Sequence, residues 1–416
     1  MAIIIALSFS HCAALMPRVG GPYAYVKEVS GSFPGFMVGW GLFLAEWLSL
    51  AVFPVAFATY GAALLPELGW GSGIPLKVTF ILIVFVTNAC GIKAAGRFND
   101  VLTIAKLGPL LLVVIGGLAL IGVHPGPALS NLTPFSKGGL QDFGQAFVLI
   151  FWAYAGFELS TLPSNEIETP EKTIPRAMVI GMVIVAGFYL ATNFVVVGVV
   201  DQITLEQSSS PLLDAGSSIF GSISSLSGVA FLVVGIGALI SILGADESGT
   251  IGTSRLAFAM SVDGLFPVSF SRLAKKSRAP LLGLAIICIS ALAASIVGGL
   301  TTLIATSVFL LAFAYLCTCV SALLLGKKYP EKSSRLTGRR SIPVAGIAFS
   351  FVLMALVDPK LILLAGAMLG VGVPIFAFFS PRQELHELRE AFLSRESILR
   401  RTYEQGGRFL AHPLRH

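Results

Sequence analysis

Charge is the scarcest property of this sequence. Only 12% of its 416 residues are Asp, Glu, Lys or Arg, against roughly 25% in a soluble domain. A chain this long with so little charge cannot clothe a water-exposed surface, so a soluble enzyme or binding module is excluded and the missing polar surface must face lipid. Cysteine is sparse too. Cys12, Cys90, Cys288, Cys317 and Cys319 are odd in number and lie in apolar runs, which argues against a disulfide framework; no C-x-x-C and no zinc-spaced His or Cys pair occurs. The cysteines read as small hydrophobes. G-x-S-x-G, H-E-x-x-H and the Walker lysine loop are all missing. Any pumping must therefore draw on an ion gradient or on the solute's own gradient. Five scattered histidines do not offer the clustered ligands that a membrane-embedded enzyme would need, and nothing calls for a cofactor or a metal.

What the sequence has in abundance is apolar length. Hydrophobic residues make up 55%, and the mean hydropathy is +0.86. A spanning helix needs roughly 20 mostly apolar residues. Runs of that kind cover about 1–16, 35–65, 76–92, 102–122, 141–162, 177–200, 226–245, 280–299, 301–326, 342–357 and 361–379. Spanning backbone must satisfy its own hydrogen bonds, and the alternation of barrel strands is absent. The expectation is an all-α polytopic membrane protein with eleven spans. Sorting the loops alternately puts 25 of the 28 basic residues on one side and only Lys77, Lys137 and Lys360 on the other. Lys and Arg mark the cytoplasmic face, so the net charge of +6 is a topology signal and not a nucleic-acid patch. The same alternation puts the C-terminal tail inside and Met1 outside, which points to one further preceding helix and twelve spans in all. The tail, 381–416, reads equally as a helix on the cytoplasmic membrane surface and as a solvated segment.

Four ionisable residues fall within the runs, where they are functional candidates by default. Glu158 ends F-W-A-Y-A-G-F-E, residues 151–158. Ala153, Ala155 and Gly156 are small, and Gly weakens a helix interior; Trp152, Tyr154 and Phe157 are large and aromatic. A helix broken here offers free N–H and C=O groups for a carboxylate and aromatic walls for a side chain. Close helix packing through small residues is the competing account. Lys106 is followed by Gly108 and Pro109, a possible kink. It reads either as a lysine snorkelling to the interface or as a buried lysine able to release a proton. Glu46 reads best as paired with a polar neighbour on another span, and His11 as a packing histidine. Gly235-x-Gly237 reads as a helix-packing pair.

Several segments together resemble the amino acid–polyamine–organocation permeases. They are L-S-F-S-H-C-A-A-L-M-P-R-V-G-G-P-Y-A-Y-V (7–26), G-F-M-V-G-W (35–40), the 151–158 segment with N-E-I-E-T-P-E-K-T-I-P-R-A (165–177), and S-R-L-A-F-A-M-S-V-D-G-L-F-P (254–267), similar to the loop after the family's eighth helix. The matches run in order to about residue 270; later spans fit in number and spacing only. The resemblance implies two inverted five-helix repeats plus two C-terminal helices, eleven spans present of twelve, with helices 1 and 6 broken around a midplane site. Residues 1–380 would form the permease domain and 381–416 a cytoplasmic tail.

The resemblance also implies roles. Trp152, Ala153, Tyr154, Ala155 and Gly156 would contact substrate, with Trp152 as an aromatic gate and Glu158 just below the site. Lys106 matches a lysine standing where sodium binds in sodium-coupled relatives, and Ser241 would lie near the same place. The expected activity is secondary transport of amino acids or related amines across the plasma membrane by alternating access. Protons or a counter-substrate would be its coupling partners and membrane lipid its solvent. Two departures stand out: His11 replaces an acid frequent in relatives, and the family's Gly-rich first helix is absent from this sequence. The latter keeps a second reading open, a transport-inactive sensor or assembly subunit on the same scaffold.

Overall fold

Backbone placed in hydrocarbon must bond to itself, and each apolar run of this sequence is accordingly helical. The computed structural model describes residues 1–66, 73–133, 138–162, 164, 167–221, 227–334 and 336–380. The tail, Lys137, Arg335 and part of the 165–177 motif lie outside those residues. In chain order the helices are α1 (Ala2–Leu15), α2 (Pro22–Ser30), α3 (Ser32–Leu64), α4 (Ile74–Ala89), α5 (Ile92–Val123), α6 (Pro125–Asn131), α7 (Leu140–Trp152) and α8 (Pro170–Val199). They continue as α9 (Gln202–Gln207), α10 (Pro211–Phe220), α11 (Ser227–Val262), α12 (Leu281–Val297), α13 (Leu300–Lys328), α14 (Pro330–Ser333), α15 (Ser341–Leu356) and α16 (Pro359–Phe379). Among the described residues there is no strand.

Among the described residues seven segments are long and apolar enough to cross a membrane: α3, α5, α8, α11, α13, α16, and α7 with the turn that follows it. Four shorter apolar helices, α1, α4, α12 and α15, coincide with the remaining runs. One boundary differs from the sequence reading. The seventh run ended at residue 245, and residues 254–267 read as a loop; in the structure α11 continues to Val262. Asp246, Glu247 and Arg255 lower the local hydropathy without breaking the helix. Similarly, α5 continues through Pro109.

The arrangement has an inner post and an outer ring. In their most apolar stretches α3 is 72% and α13 is 67% buried, whereas α8 is 11% and α5 17% buried. The outer helices present their apolar side chains, Ile115, Ile184 and Leu190 among them, to the lipid. The post forms because α3 and α13 carry small residues among large ones. A Cβ on Gly41 would sit 3.2 Å from the Phe313 ring. At that seam Ser49 and Ser307 pair side chains at 3.1 Å.

Helix α11 packs antiparallel on both α3 and α5 through glycines, as close approach in membranes favours. A Cβ on Gly235 would lie 1.8 Å from Leu64, and one on Gly249 3.2 Å from Leu50. On the α5 side a Cβ on Gly237 would lie 2.2 Å from the Pro109 ring, and one on Gly244 3.2 Å from Leu102. Both residues of the Gly235-x-Gly237 pair are thus packing residues.

At the end carrying most of the basic residues, α2 is tied down by charge. Glu28 pairs with Arg18 at 3.0 Å and with Lys328 of α13 at 2.7 Å. Lys27 pairs with Asp263 at 2.8 Å, just beyond α11, and the Tyr23 hydroxyl donates to the same carboxylate.

Two outcomes follow from these contacts. Gly237→Ala drives a methyl into a rigid proline ring, an overpacking cost of about 1–3 kcal/mol, and should lower the melting temperature in detergent. Gly187→Ala, where a Cβ meets nothing within 4 Å, should leave it unchanged or raise it. The second outcome concerns pH. The Lys328 ammonium beside Glu28 holds its carboxyl below the usual carboxylate range. A depressed carboxyl contributes stability above its unfolded pKa and loses it as pH falls through the folded value. Melting temperature should therefore fall on acidification over that range, and less so in Glu28→Gln.

Candidate substrate site at a broken helix

The break lies where the small residues are. Helix α7 ends at Trp152, and the amides of Ala153, Tyr154 and Ala155 donate to the carbonyls of Ile150, Phe151 and Trp152. These three-residue steps tighten the helix before it stops. Gly156 follows at φ 109°, a conformation that costs a side chain strain and glycine very little. A 3-10 turn, Phe157–Thr161, then runs on toward α8. The segment read as W-A-Y-A-G from the sequence is therefore an interrupted span.

Glu158 caps the break. Its side chain turns back, and one carboxyl oxygen accepts the Gly156 amide at 3.0 Å. The residue is fully buried. Its carboxyl is a near neighbour of the Glu46 carboxyl on α3 and the Tyr315 hydroxyl on α13, though its second oxygen and the Tyr315 hydroxyl make no hydrogen bond among the described residues. Glu46 thus does meet a polar neighbour on another span, and that neighbour is a second acid. Two carboxylates in contact inside an apolar protein repel strongly, whereas a carboxyl–carboxylate pair can share one proton. Around them stand aromatic rings: Phe157 and Phe9 each lie with their centroids 5.3–5.4 Å from that of Tyr315, and Phe151 lies at 6.3 Å.

Trp152 is held from two sides. Its indole N–H donates to Ser49 at 2.9 Å, and its ring packs on Phe53 at 5.4 Å. Tyr154 points away from that cluster, edge-on to Tyr189 of α8 at 5.2 Å. Ala153 is exposed and Ala155 half-buried; a Cβ on Gly156 would meet nothing within 4 Å. The break thus has open space beside Gly156 and a buried carboxyl with aromatic rings packed around it on the inner side.

Lys106 and Ser241 belong to another place. The α5–α11 register set by Gly237 on Pro109 and Gly244 on Leu102 puts Ser241 level with Lys106. Both are half-buried, and among the described residues no hydrogen bond links either to the break. His11 is buried on α1. The residues that sequence reading missed are Ser49, Ser307 and Tyr315, the polar atoms that fix Trp152 and face Glu158. A mid-span tyrosine in L-A-F-A-Y-L-C-T was the available signal for Tyr315.

The fold and site define a polytopic helical membrane protein with an interrupted span over buried carboxyls. A family model described as amino acid permease matches residues 1–379, and the chain belongs to that family, whose members are transport proteins and not enzymes. It is similar to the serine/threonine exchanger SteT of Bacillus subtilis, 26% identical over 84% of this chain and 78% of that protein. It is also similar to the branched-chain amino acid permease BcaP of Lactococcus lactis, 25% identical over 91% and 84%. A methylthioribose transporter of Bacillus subtilis is 25% identical over 84% and 77%.

The geometry of the break predicts that Gly156→Ala, forced to a positive φ, costs on the order of 1–3 kcal/mol. The variant should unfold earlier in a thermal-shift assay than Ala155→Gly, which places no side chain in a strained backbone.

Proposed function

We propose that this protein moves amino acids across the plasma membrane by alternating access, binding them at the break between α7 and the 3-10 turn. Membership of the amino acid permease family supports the class of substrate. The observation that carries the site is the interrupted span itself: a bend at Gly156 with open space beside it, a buried carboxyl capping it, and Trp152 fixed next to it. Residues Trp152 to Gly156 contact the solute, its carboxylate meeting backbone N–H groups and its side chain the aromatic walls. Trp152 is the gate, since its indole rests on Ser49 and Phe53 of the inner post. Glu158 lies beneath it and reports substrate occupancy to α3 and α13.

Coupling is to protons, with Lys106 as one titrating group, half-buried on a helix that faces lipid over much of its length. The tail is cytoplasmic, a reading supported by the one-sided distribution of Lys and Arg.

Purified protein in proteoliposomes should take up or exchange labelled amino acids from a panel that also includes polyamines and methylthioribose. Trp152→Ala should raise KM far more than it lowers the maximal rate. Lys106→Ala should abolish the acceleration by an inward proton gradient. Absence of both uptake and exchange across the whole panel would leave the sensor or assembly-subunit reading standing.

A further inference from the structure

A second pair of acids sits half-way along α11. Asp246 is 1% exposed and Glu247 is fully buried. The two are consecutive, so on a helix they point roughly 100° apart, into different seams. Glu247 faces the end of α4. Its carboxyl oxygens accept the Asn88 side-chain N–H at 2.9 Å and the Thr87 hydroxyl at 2.9 Å. Asp246 lies near Cys288 of α12, as Glu247 also does, and neither of its carboxyl oxygens has a hydrogen-bond partner.

A wholly buried carboxylate with no donor and no counter-charge is among the most expensive groups a protein can hold. Among the described residues no basic side chain comes within ion-pair distance of Asp246 or Glu247. The ionisable groups on the elements packed against α11 are Glu46 and Tyr60 on α3, Glu158 in the 3-10 turn, Asp214 on α10 and Cys288 on α12. Helix α5 adds Lys93, Arg97, Asp100 and Lys106. Lys77 of α4 is bonded to the Ser295 carbonyl. None forms a hydrogen bond or ion pair with either acid. The antiparallel register of α3 and α11, Gly235 on Leu64 and Gly249 on Leu50, sets Glu46 level with Thr253. Asp246 is then about 10 Å further along the helix at 1.5 Å per residue. It belongs to a different centre from Glu158.

The partners of Glu247 suit a group that gains and loses a proton in place. The Thr87 oxygen lies 2.9 Å from the Ile83 carbonyl, 3.0 Å from the Val84 carbonyl and 2.9 Å from Glu247. A hydroxyl has one hydrogen to give. With Glu247 ionised, Thr87 donates to the carboxylate. With Glu247 protonated, the carboxyl O–H donates to Thr87, and Thr87 donates to its own helix. Rotation of one hydroxyl serves both states, and no heavy atom has to move. Asn88 donates one N–H to Glu247 and the other to Val84 in either state.

We propose that Asp246 and Glu247 form a proton-binding site, separate from the break at Gly156, that holds a proton taken from bulk water. The proton is accepted by a carboxylate oxygen and returned from it, with no other bond formed or broken. Sodium is disfavoured because a hard cation takes several oxygen ligands, and among the described residues the buried side-chain oxygens without a hydrogen-bond partner at this place are the two of Asp246. The use of this proton to drive uptake rests on the transport reading above; its binding does not.

The test has two readouts. Infrared difference spectra of the purified protein in nanodiscs, taken from neutral to alkaline pH, should show a protonated-carboxyl C=O band that is lost in Asp246→Asn and altered in Glu247→Gln. Both substitutions mimic the neutral acid, and either alone suffices if the other fails to fold. Persistence of the same band in both variants overturns the site, whether or not the protein transports anything. In proteoliposomes, Asp246→Asn should keep amino acid exchange and lose accumulation driven by a proton gradient. Retained accumulation overturns the coupling role. Accumulation driven by sodium in the wild type and lost in the variant overturns the proton in favour of sodium. A wild type inactive toward the whole panel counts against the transport reading alone, and the infrared result then decides the site.

Discussion

A span that stops half-way through the hydrocarbon leaves amide and carbonyl groups that lipid cannot satisfy. The break after Trp152 is possible only because protein supplies what lipid cannot. Glu158 takes the Gly156 amide, and the three amides before it bond three residues back instead of four. Those arrangements demand a glycine at φ 109° and a carboxyl folded over its own backbone. The carboxyl in turn must be walled from lipid, which is why the interrupted helix packs against the most buried helices of the fold. Phe9, Phe157 and Tyr315 pack around one another within 5.3–5.4 Å, and Ser49 and Ser307 tie the post beside Trp152.

The division between post and ring follows from the same demand. Helices α3 and α13 carry serines, threonines and glycines among large apolar residues, and the hydroxyls of Ser49, Ser307 and Thr318 find partners on the facing helix or on their own backbone. Helices α5 and α8 carry branched apolar residues over most of their surface and little that needs a partner, so they can face lipid. Polar groups at membrane depth thus gather where helices meet helices. Lys106 is a partial exception, half-buried on a lipid-facing helix.

The class of the protein was legible because it rests on sums: too little charge, too much apolar length, helices wherever runs occur. The break was legible because small and aromatic residues alternate in one short segment, a local signal. The partners of Glu158 were not, because Glu46 and Tyr315 lie far from it in sequence and nothing local says that they meet. Asp246 and Glu247 were hidden for another reason. A hydropathy window reads a pair of acids as the end of a span, and the run was closed at residue 245. The backbone does not respond to average hydropathy: with α3, α4, α5 and α12 packed around it, α11 carries two acids through the interior and ends only at Val262. Where a sequence places acids beside an apolar run followed by further helix-forming residues, ending the span there removes the most informative residues from view.

Helix α11 is where the two acidic centres are joined mechanically. Its Gly249 rests on Leu50, one turn from Glu46, and its Gly252 rests on Leu159, next to Glu158. Asp246 lies one turn from Gly249 on the same helix. A rigid helix in glycine contact with both carriers of the first carboxyl pair cannot shift without disturbing that pair, and it cannot shift without moving the second pair against α4. A proton added to Asp246 removes a charge from the interior near Cys288 of α12, and so changes how tightly α11 sits there. Under the proposal above, the route from Asp246 to the break would run through those two close glycine contacts. Coupling of the two centres, as proposed, would need no continuous wire of charged residues. It needs one stiff helix that carries one carboxyl pair itself and leans on the residues that hold the other.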